Sequence, residues 1–221
     1  DATSIYDSAR DRMIVYGGSL NLPGVDDLWS LSLSGTPTWI SQYPPGTHPP
    51  IRYGHTAVLD AARDRMIVFG GETSGGLRNN EVWALDLTGA SGWTQLAPLG
   101  TPPAPRVFAT AIVDAARDRM IVFGGLPGSY PSPEVFALSL ADPPAWTTLS
   151  PDGPFPAGRD LHSAVYDAAG DRMIVFGGDD VGYAHGHLDD TWALALAGNT
   201  HWVDLAPAGA IPEPRFGQTV A

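Results

Sequence analysis

Four side chains in one segment near the end of the chain have the types and spacing of a divalent-metal site. Residues 179–190, "DDVGYAHGHLDD", begin with two aspartates and continue with a His-x-His pair. Carboxylate oxygens and imidazole nitrogens are both ligands for divalent cations such as zinc, calcium or iron. The pattern therefore predicts a divalent metal, the only cofactor candidate of this chain, held by Asp179, Asp180, His185 and His187.

A solvated polar loop is the alternative interpretation of this segment. His-x-His alone is a weak signal, because it lacks the fixed spacing of established zinc motifs. Asp189 and Asp190 are not counted as ligands, since Asp26 and Asp27 occupy the matching place in an earlier copy of the same pattern. Both interpretations stay open at the level of sequence.

The sequence carries none of the common catalytic motifs. It has no Gly-x-Ser-x-Gly, no phosphate-binding loop and no His-Glu-x-x-His, and it contains neither cysteine nor lysine that could act as a nucleophile. No catalytic residue is assigned, and a non-catalytic recognition scaffold is the favoured function. A metal-assisted enzyme with its site in residues 179–190 is an alternative.

Other side chains in variable loops have the types found at recognition surfaces. The loops 19–27, 72–80, 126–133 and 179–190 differ between copies of an otherwise regular pattern, and loops on a rigid scaffold commonly carry binding. Tyrosine offers a large contact area with a polar tip. We predict that a protein or glycan partner contacts Leu77, Arg78, Tyr130 and Tyr183.

The charge balance excludes several partners. The formal net charge is −12, and all twelve basic residues are arginines, of which only Arg78 falls outside positions that recur. A basic patch for phosphates is therefore missing, which argues against nucleic acid and anionic membranes. No apolar run approaches the roughly 18 residues of a membrane-spanning helix, so membrane insertion is not expected.

An eight-residue string sets the architecture that must position these loops. "DRMIVFGG" occurs at 64–71, 118–125 and 171–178, and "DRMIVYGG" at 11–18, so the spacing of the Gly-Gly pairs is 53, 54 and 53 residues. Such periods indicate stacked supersecondary units. Other series keep the same step, namely Trp39, Trp93, Trp146 and Trp202, and Arg52, Arg106, Arg159 and Arg215.

Each repeat contains four short strand-like stretches. In the second repeat they are "HTAVLD", "RMIVFGG", "EVWALDL" and "WTQLAP", all bounded by turn residues. The second stretch is apolar at successive positions, which predicts a strand covered on both faces. Four-stranded sheets that cover one another satisfy this requirement, with glycines where a side chain would collide with the neighbouring sheet.

Several recurring polar residues are predicted to be structural. His55 and His162 occupy one first-strand position and are expected to bond backbone between sheets, or else to line a ligand channel. The recurring arginines are expected to tie adjacent sheets together through carbonyls or carboxylates, or else to bind an anion. The aspartates and arginines of "DAARDR" are expected to form local ion pairs at the surface.

The chain resembles the kelch-repeat family, and bacterial multi-repeat proteins within it look most similar. The double glycine, the aromatic residue about a dozen positions later, the further Trp and "RYGHTAV" after a Pro-rich loop carry the resemblance, which covers essentially the whole chain. It implies an all-β, kelch-type β-propeller with four four-stranded antiparallel blades of about 53 residues. The single domain 1–221 would hold repeats at 1–51, 52–105, 106–158 and 159–214, and a partial first strand at 215–221.

Ring closure is predicted to involve more than these four repeats. Ala2 and Gln218 both fall in the position of His55, so the two ends duplicate one strand. We therefore expect a portion of a larger propeller, or one completed by another chain, with self-association through blade edges. A compact four-bladed ring with a frayed end is the alternative. A structural assembly unit is accordingly a further alternative function. The acidity, the missing cysteine and the resemblance favour secretion or surface display.

Overall fold

The computed structural model describes residues 2–19, 24–180 and 186–219. The chain divides into two compact units, Asp1–Pro98 and Leu99–Ala221. Each unit contains two four-stranded antiparallel sheets, which confirms the all-β, kelch-type fold class. Tyr183 and His185 lie outside the described residues, so the predictions made for these two side chains remain predictions.

The first unit contains the sheets of the first and second repeats. Each sheet follows the chain in order from first to fourth strand. A two-stranded ribbon is formed within the second repeat. The strands are β1 (Thr3–Asp7), β2 (Arg12–Ser19), β3 (Gly24–Ser32), β4 (Thr38–Gln42), β5 (Arg52–Tyr53), β6 (Thr56–Asp60), β7 (Arg65–Phe69), β8 (Glu72–Thr73), β9 (Val82–Asp86) and β10 (Trp93–Leu96).

The second unit repeats this arrangement for the third and fourth repeats. Its strands are β11 (Thr110–Asp114), β12 (Arg119–Phe123), β13 (Val135–Ser139), β14 (Ala145–Leu149), β15 (Ser163–Asp167), β16 (Arg172–Asp179), β17 (His187–Ala195) and β18 (His201–Asp204). Residues 215–219, expected to begin a partial first strand, form no strand. Gln218 instead donates its amide to the Phe176 carbonyl at 2.8 Å.

The second strands of the second and third repeats lie in the core, as the unbroken apolar run predicts. In β7, Met66, Ile67 and Val68 are fully buried, and the matching residues of β12 are fully buried as well. The neighbouring sheet of the same unit covers one of the two faces. In β2 and β16, the second strands of the first and fourth repeats, buried and partly exposed residues alternate, so the prediction of a strand covered on both faces is confirmed for the two middle repeats only.

The Gly-Gly pair allows the close approach of neighbouring backbone. Gly125 has φ +83°, and a Cβ on it would lie 2.8 Å from the Ala109 Cβ and 2.9 Å from the Val107 carbonyl oxygen. Contacts this short do not occur for real Cβ atoms, and φ in this region is costly for other residues. The glycines are thus required by packing, as the repeat predicts.

Three of the recurring arginines are buried, and their side chains hydrogen-bond to groups of their own repeat. Arg159 is fully buried, donates Nη1 to the Gly177 carbonyl at 2.9 Å and holds both carboxylate oxygens of Asp190. Arg52 and Arg106 make the matching bonds to the second-strand glycine and an acidic residue. The expected tie between adjacent sheets is therefore corrected. Arg215, the fourth member, is exposed and donates Nε to Glu213 O.

The ion pairs at the first hairpin are not confined to the surface. Asp7 is 1% exposed and accepts bonds from Arg10 and Arg12. Arg10 also pairs with Asp64, so it joins the first sheet to the second. Arg117 and Asp171 repeat this link in the second unit. The expectation of local surface pairs holds for Arg172 and Asp167 of the fourth repeat. In the first three repeats the local pairs involve a buried aspartate, and the partly exposed pairs of Arg10 and Arg117 link neighbouring sheets.

Candidate functional site

The loop that carries Leu77 and Arg78 is held by its own backbone. Strands β5 and β8 pair so that Arg52 faces Thr73 and Tyr53 faces Glu72. Across the turn, Thr73 N donates to the Leu77 carbonyl at 2.9 Å. This short ribbon fixes the loop, and it leaves the Leu77 side chain 71% exposed at the tip.

Acidic and basic side chains brace the base of the same loop. Arg78 Nε lies 3.3 Å from Glu72 Oε2, so the arginine is engaged within the loop. The Tyr53 hydroxyl donates to Glu72, and this hydrogen bond to a carboxylate raises the pKa of Tyr53 to about 12. Of the two predicted contact residues here, Leu77 is the one that points into solvent.

The third repeat presents Tyr130 in the same way. Val107 and Leu126 bridge as an antiparallel pair, and Ser132 N donates to the Gly125 carbonyl at 2.9 Å. Tyr130 is 58% exposed between these two fixed points. The loop surface therefore consists of Leu77 and Arg78 in the first unit and, separately, Tyr130 in the second.

Three of the four predicted metal ligands are described. His187 Nδ1 lies 3.6 Å from Asp179 Oδ2, and Asp180 is fully buried with neither carboxylate oxygen hydrogen-bonded. Within residues 2–19, 24–180 and 186–219, no group of three or more acidic, histidine or cysteine side chains is gathered for a metal ion. The metal site at Asp179, Asp180, His185 and His187 stays a prediction.

The two repeated histidines are structural struts between first strands. His55 Nε2 lies 2.7 Å from Thr3 Oγ1, and His162 Nε2 lies 2.6 Å from Thr110 Oγ1, in each case across two sheets of one unit. Burial lowers the pKa of both histidines to about 3, which keeps both rings neutral. A bond between sheets was expected at this position. Each histidine bonds a threonine side chain, and His55 also has a hydrogen bond with the backbone of Tyr16.

A polar groove in the first unit was not predicted. It is a cavity of about 370 Å³ between the first and second sheets. Ser30 and Gln42 lie on its first-sheet side, where the Gln42 amide donates to Ser30 Oγ at 3.1 Å. Arg10, Arg12, Asp86 and Thr88 contribute further polar groups, and Tyr43 lies in its lining, 87% exposed. We call this the first-repeat groove.

The repeat alignment contains the signal that could have revealed this groove. Ser30 directly follows Trp29, and the matching residues are Ala84, Ala137 and Ala193. Gln42 stands three positions after Trp39, where the other repeats have Leu96, Leu149 and Leu205. The first repeat thus has a hydrogen-bonded Ser–Gln pair where the other three repeats have an apolar Ala–Leu pair. The two substitutions lie in and beside strands, and a search for differences in the loops alone does not find them.

Four repeats, each a four-stranded antiparallel sheet with a paired glycine at the end of its second strand, define a kelch-type β-propeller protein. The model of the KLHDC2/KLHL20/DRC7 Kelch-repeats domain matches residues 3–221. The chain therefore belongs to the kelch-repeat family.

Relatives with diverse names share this region. The chain is 36% identical over 117 residues to dynein regulatory complex subunit 7 of Chlamydomonas reinhardtii, covering 51% of this chain and 10% of that protein. It is 31% identical over 169 residues to the leucine-zipper-like transcriptional regulator 1 homolog of Drosophila melanogaster, covering 73% and 16%. Against multiple epidermal growth factor-like domains protein 8 of Mus musculus, identity is 31% over 184 residues, covering 80% and 6%. The chain spans a small part of each relative's length.

Kelch-repeat homologues are typically protein-interaction scaffolds. In the described part of the chain, no helix combines the length and the apolar character required to cross a bilayer.

Proposed function

We propose that this chain is a non-catalytic scaffold that binds a partner protein through the loops between the second and third strands. The main support for this proposal is the exposure of Leu77. This large apolar side chain is 71% exposed on a loop whose backbone is fixed at both ends. A fixed loop loses little conformational freedom on binding, so its apolar tip contributes more of its burial energy to affinity. Tyr130 supplies a second, aromatic contact of the kind enriched at protein interfaces.

A comparison of matched surface variants tests this proposal. The chain, immobilised, is used to identify partner proteins by mass spectrometry, and each partner is then purified and titrated. We expect Leu77→Ser combined with Tyr130→Ser to weaken binding at least about tenfold, equal to about 1.4 kcal/mol. Leu33→Ser is the control, since Leu33 is an exposed leucine in the hairpin between β3 and β4. Equal binding by the loop variant and the control would contradict the proposal.

A glycan partner on the same loops is the competing outcome. A glycan array probed with the intact chain and with the loop double variant separates the two. Glycan binding lost in the double variant, with no protein partner found, would replace the protein by a sugar at this surface. The metal-assisted alternative is tested by elemental analysis of protein purified without chelator.

Assembly through an uncovered sheet face is a second candidate function. Trp39 is 50% exposed, whereas Trp93, Trp146 and Trp202 at the same repeat position are each at most 5% exposed. Val15 and Trp29 line a shallow apolar depression with Trp39. A sheet from a second copy of the chain would cover this face, as the neighbouring sheets of the same unit cover Trp93 and Trp202. Sedimentation should then show association that Trp39→Arg reduces, and a strictly monomeric chain would remove this role.

A further inference from the structure

The first-repeat groove differs from the matching place in every other repeat at three positions. Ser30 and Gln42 replace alanine and leucine, and Tyr43 replaces Ala97, Ser150 and Ala206. A residue that recurs in all repeats serves the sheet, whereas these three are free of that requirement. Their side chains line one cavity of about 370 Å³, at the lower end of the usual range of roughly 300–1,000 Å³ for small-molecule sites.

The groove contains hydrogen-bond donors and an acceptor that are available to a ligand. Ser30 is 3% exposed, and because its oxygen accepts the Gln42 amide, its hydroxyl hydrogen is available to a ligand. The Gln42 carbonyl oxygen can accept. Arg12 donates Nε to Asp7 and Nη2 to the Leu87 carbonyl, which leaves Nη1 as a further donor. Donors and an acceptor therefore face the same space.

The arginines of the groove are already paired with carboxylates. Arg10 is held by Asp7 and Asp64, so an anionic ligand would compete with two carboxylates. Asp86 accepts bonds from Thr88 and the Ser91 backbone, and the Thr88 hydrogen bond lowers the pKa of Asp86 to about 2, so this carboxylate stays ionised. Its oxygens already accept three neutral donors and are further hydrogen-bond acceptors at the rim of the groove. The groove suits a neutral molecule that carries several hydroxyl or amide groups.

The aromatic ring of Tyr43 further restricts the kind of ligand that fits the groove. Tyr43 is 87% exposed and is followed by Pro44 and Pro45, which also line the groove. A ring held at the rim beside polar groups fits a ligand with one apolar face and a polar circumference. We propose that the first-repeat groove binds a neutral sugar ring, with Ser30, Gln42 and Arg12 bonded to hydroxyls and Tyr43 packed against the apolar face.

The experiment uses sugars themselves as probes. The full chain is titrated with glucose, galactose, mannose, N-acetylglucosamine and their β-linked disaccharides up to about 10 mM, a range that detects dissociation constants near 1 mM. Binding is followed by saturation-transfer NMR and by the ¹⁵N–¹H signals of the Gln42 side-chain amide. We expect at least one sugar to bind and to shift these signals, which are assigned from their loss in Gln42→Leu.

The other repeats supply the test variant. Ser30→Ala combined with Gln42→Leu restores the Ala–Leu pair that the other three repeats carry, so the variant is expected to fold. It should weaken sugar binding at least about tenfold, and Tyr43→Ala should do the same. Leu77→Ser is the control and should bind as the intact chain does. Its behaviour also separates this site from the loop surface, so either proposal can fail alone.

Three results would overturn the proposal. The first is no binding by any of these sugars. The second is binding that Ser30→Ala with Gln42→Leu leaves unchanged, and the third is binding without a shift of the Gln42 amide signals. If a peptide library shifts those signals and the sugars do not, the groove takes an extended peptide and the sugar assignment is wrong.

Discussion

Trp39 and Trp93 hold the same position in successive repeats, yet their surroundings differ. Trp93 is 5% exposed and packs against Tyr16 of the first sheet, with ring centroids 4.8 Å apart. Trp39 is 50% exposed. The second unit repeats the covered case, since Trp202 packs against Phe123 of the third sheet at 4.8 Å. The residue is the same in each repeat, and the preceding sheet decides whether it is core.

This difference shows how stability is distributed along a chain of repeats. Within each unit, one sheet supplies half of the interface through its fourth-strand tryptophan, and the other sheet supplies the second half through the aromatic residue before its Gly-Gly pair. Neither half buries much apolar surface alone. Repeat residues should therefore be energetically unequal, in proportion to the neighbour that covers them.

Replacement of Trp93 and Trp39 by alanine should give the largest difference in stability between matching positions. Trp93→Ala removes a buried ring and leaves a cavity beside Tyr16, which should lower the free energy of unfolding by about 4 kcal/mol. Trp39→Ala removes a half-exposed ring and should lower it by less than about 1 kcal/mol. Urea denaturation of both variants and the intact chain measures the two values. Equal losses would show that covering by the neighbour does not set the contribution.

The recurring arginines give a second contrast with a smaller expected effect. Arg159→Met leaves Asp190 without its charge partner and the Gly177 carbonyl without a donor, which should cost about 3 kcal/mol. Arg215→Met removes an exposed side chain whose Nε bonds to one carbonyl and should change stability by less than about 0.5 kcal/mol. The same urea titrations apply. A cost for Arg215→Met near that of Arg159→Met would contradict the difference in burial.

The sequence predicts the features that recur and misses those set by one neighbour. The period, the unbroken apolar run and the glycine pair lead directly to four antiparallel sheets, whereas burial of the second strand on both faces is found in β7 and β12 and not in β2 or β16. The exposure of Trp39 does not follow from its residue type, because Trp93 is also a tryptophan and is buried. The Ser30–Gln42 pair was visible in the alignment but acquires meaning only once both side chains meet in one cavity. Loop residues such as Leu77 can be placed in a loop, whereas their exposure depends on the ribbon beneath.

The two buried histidines should make the stability of the protein depend on pH, and this is the smallest of the predicted effects. Burial lowers the pKa of His55 and His162 to about 3, whereas an unfolded chain binds the proton near pH 6.5. Between these values the unfolded state binds more protons, so the free energy of unfolding must fall as pH falls from 6.5 toward 3. From pH 7 to 5.5 each histidine should account for about 1 kcal/mol of that loss.

Replacement by the residue that another repeat uses isolates this contribution. Gln218 occupies the histidine position near the end of the chain and bonds the Phe176 carbonyl, so glutamine is compatible with the site. His55→Gln combined with His162→Gln should therefore lose about 2 kcal/mol less than the intact chain between pH 7 and 5.5. Urea titrations at both pH values provide the comparison. Parallel losses in the two proteins would mean that neither histidine is held neutral by burial, and that the covered position between first strands is open to water.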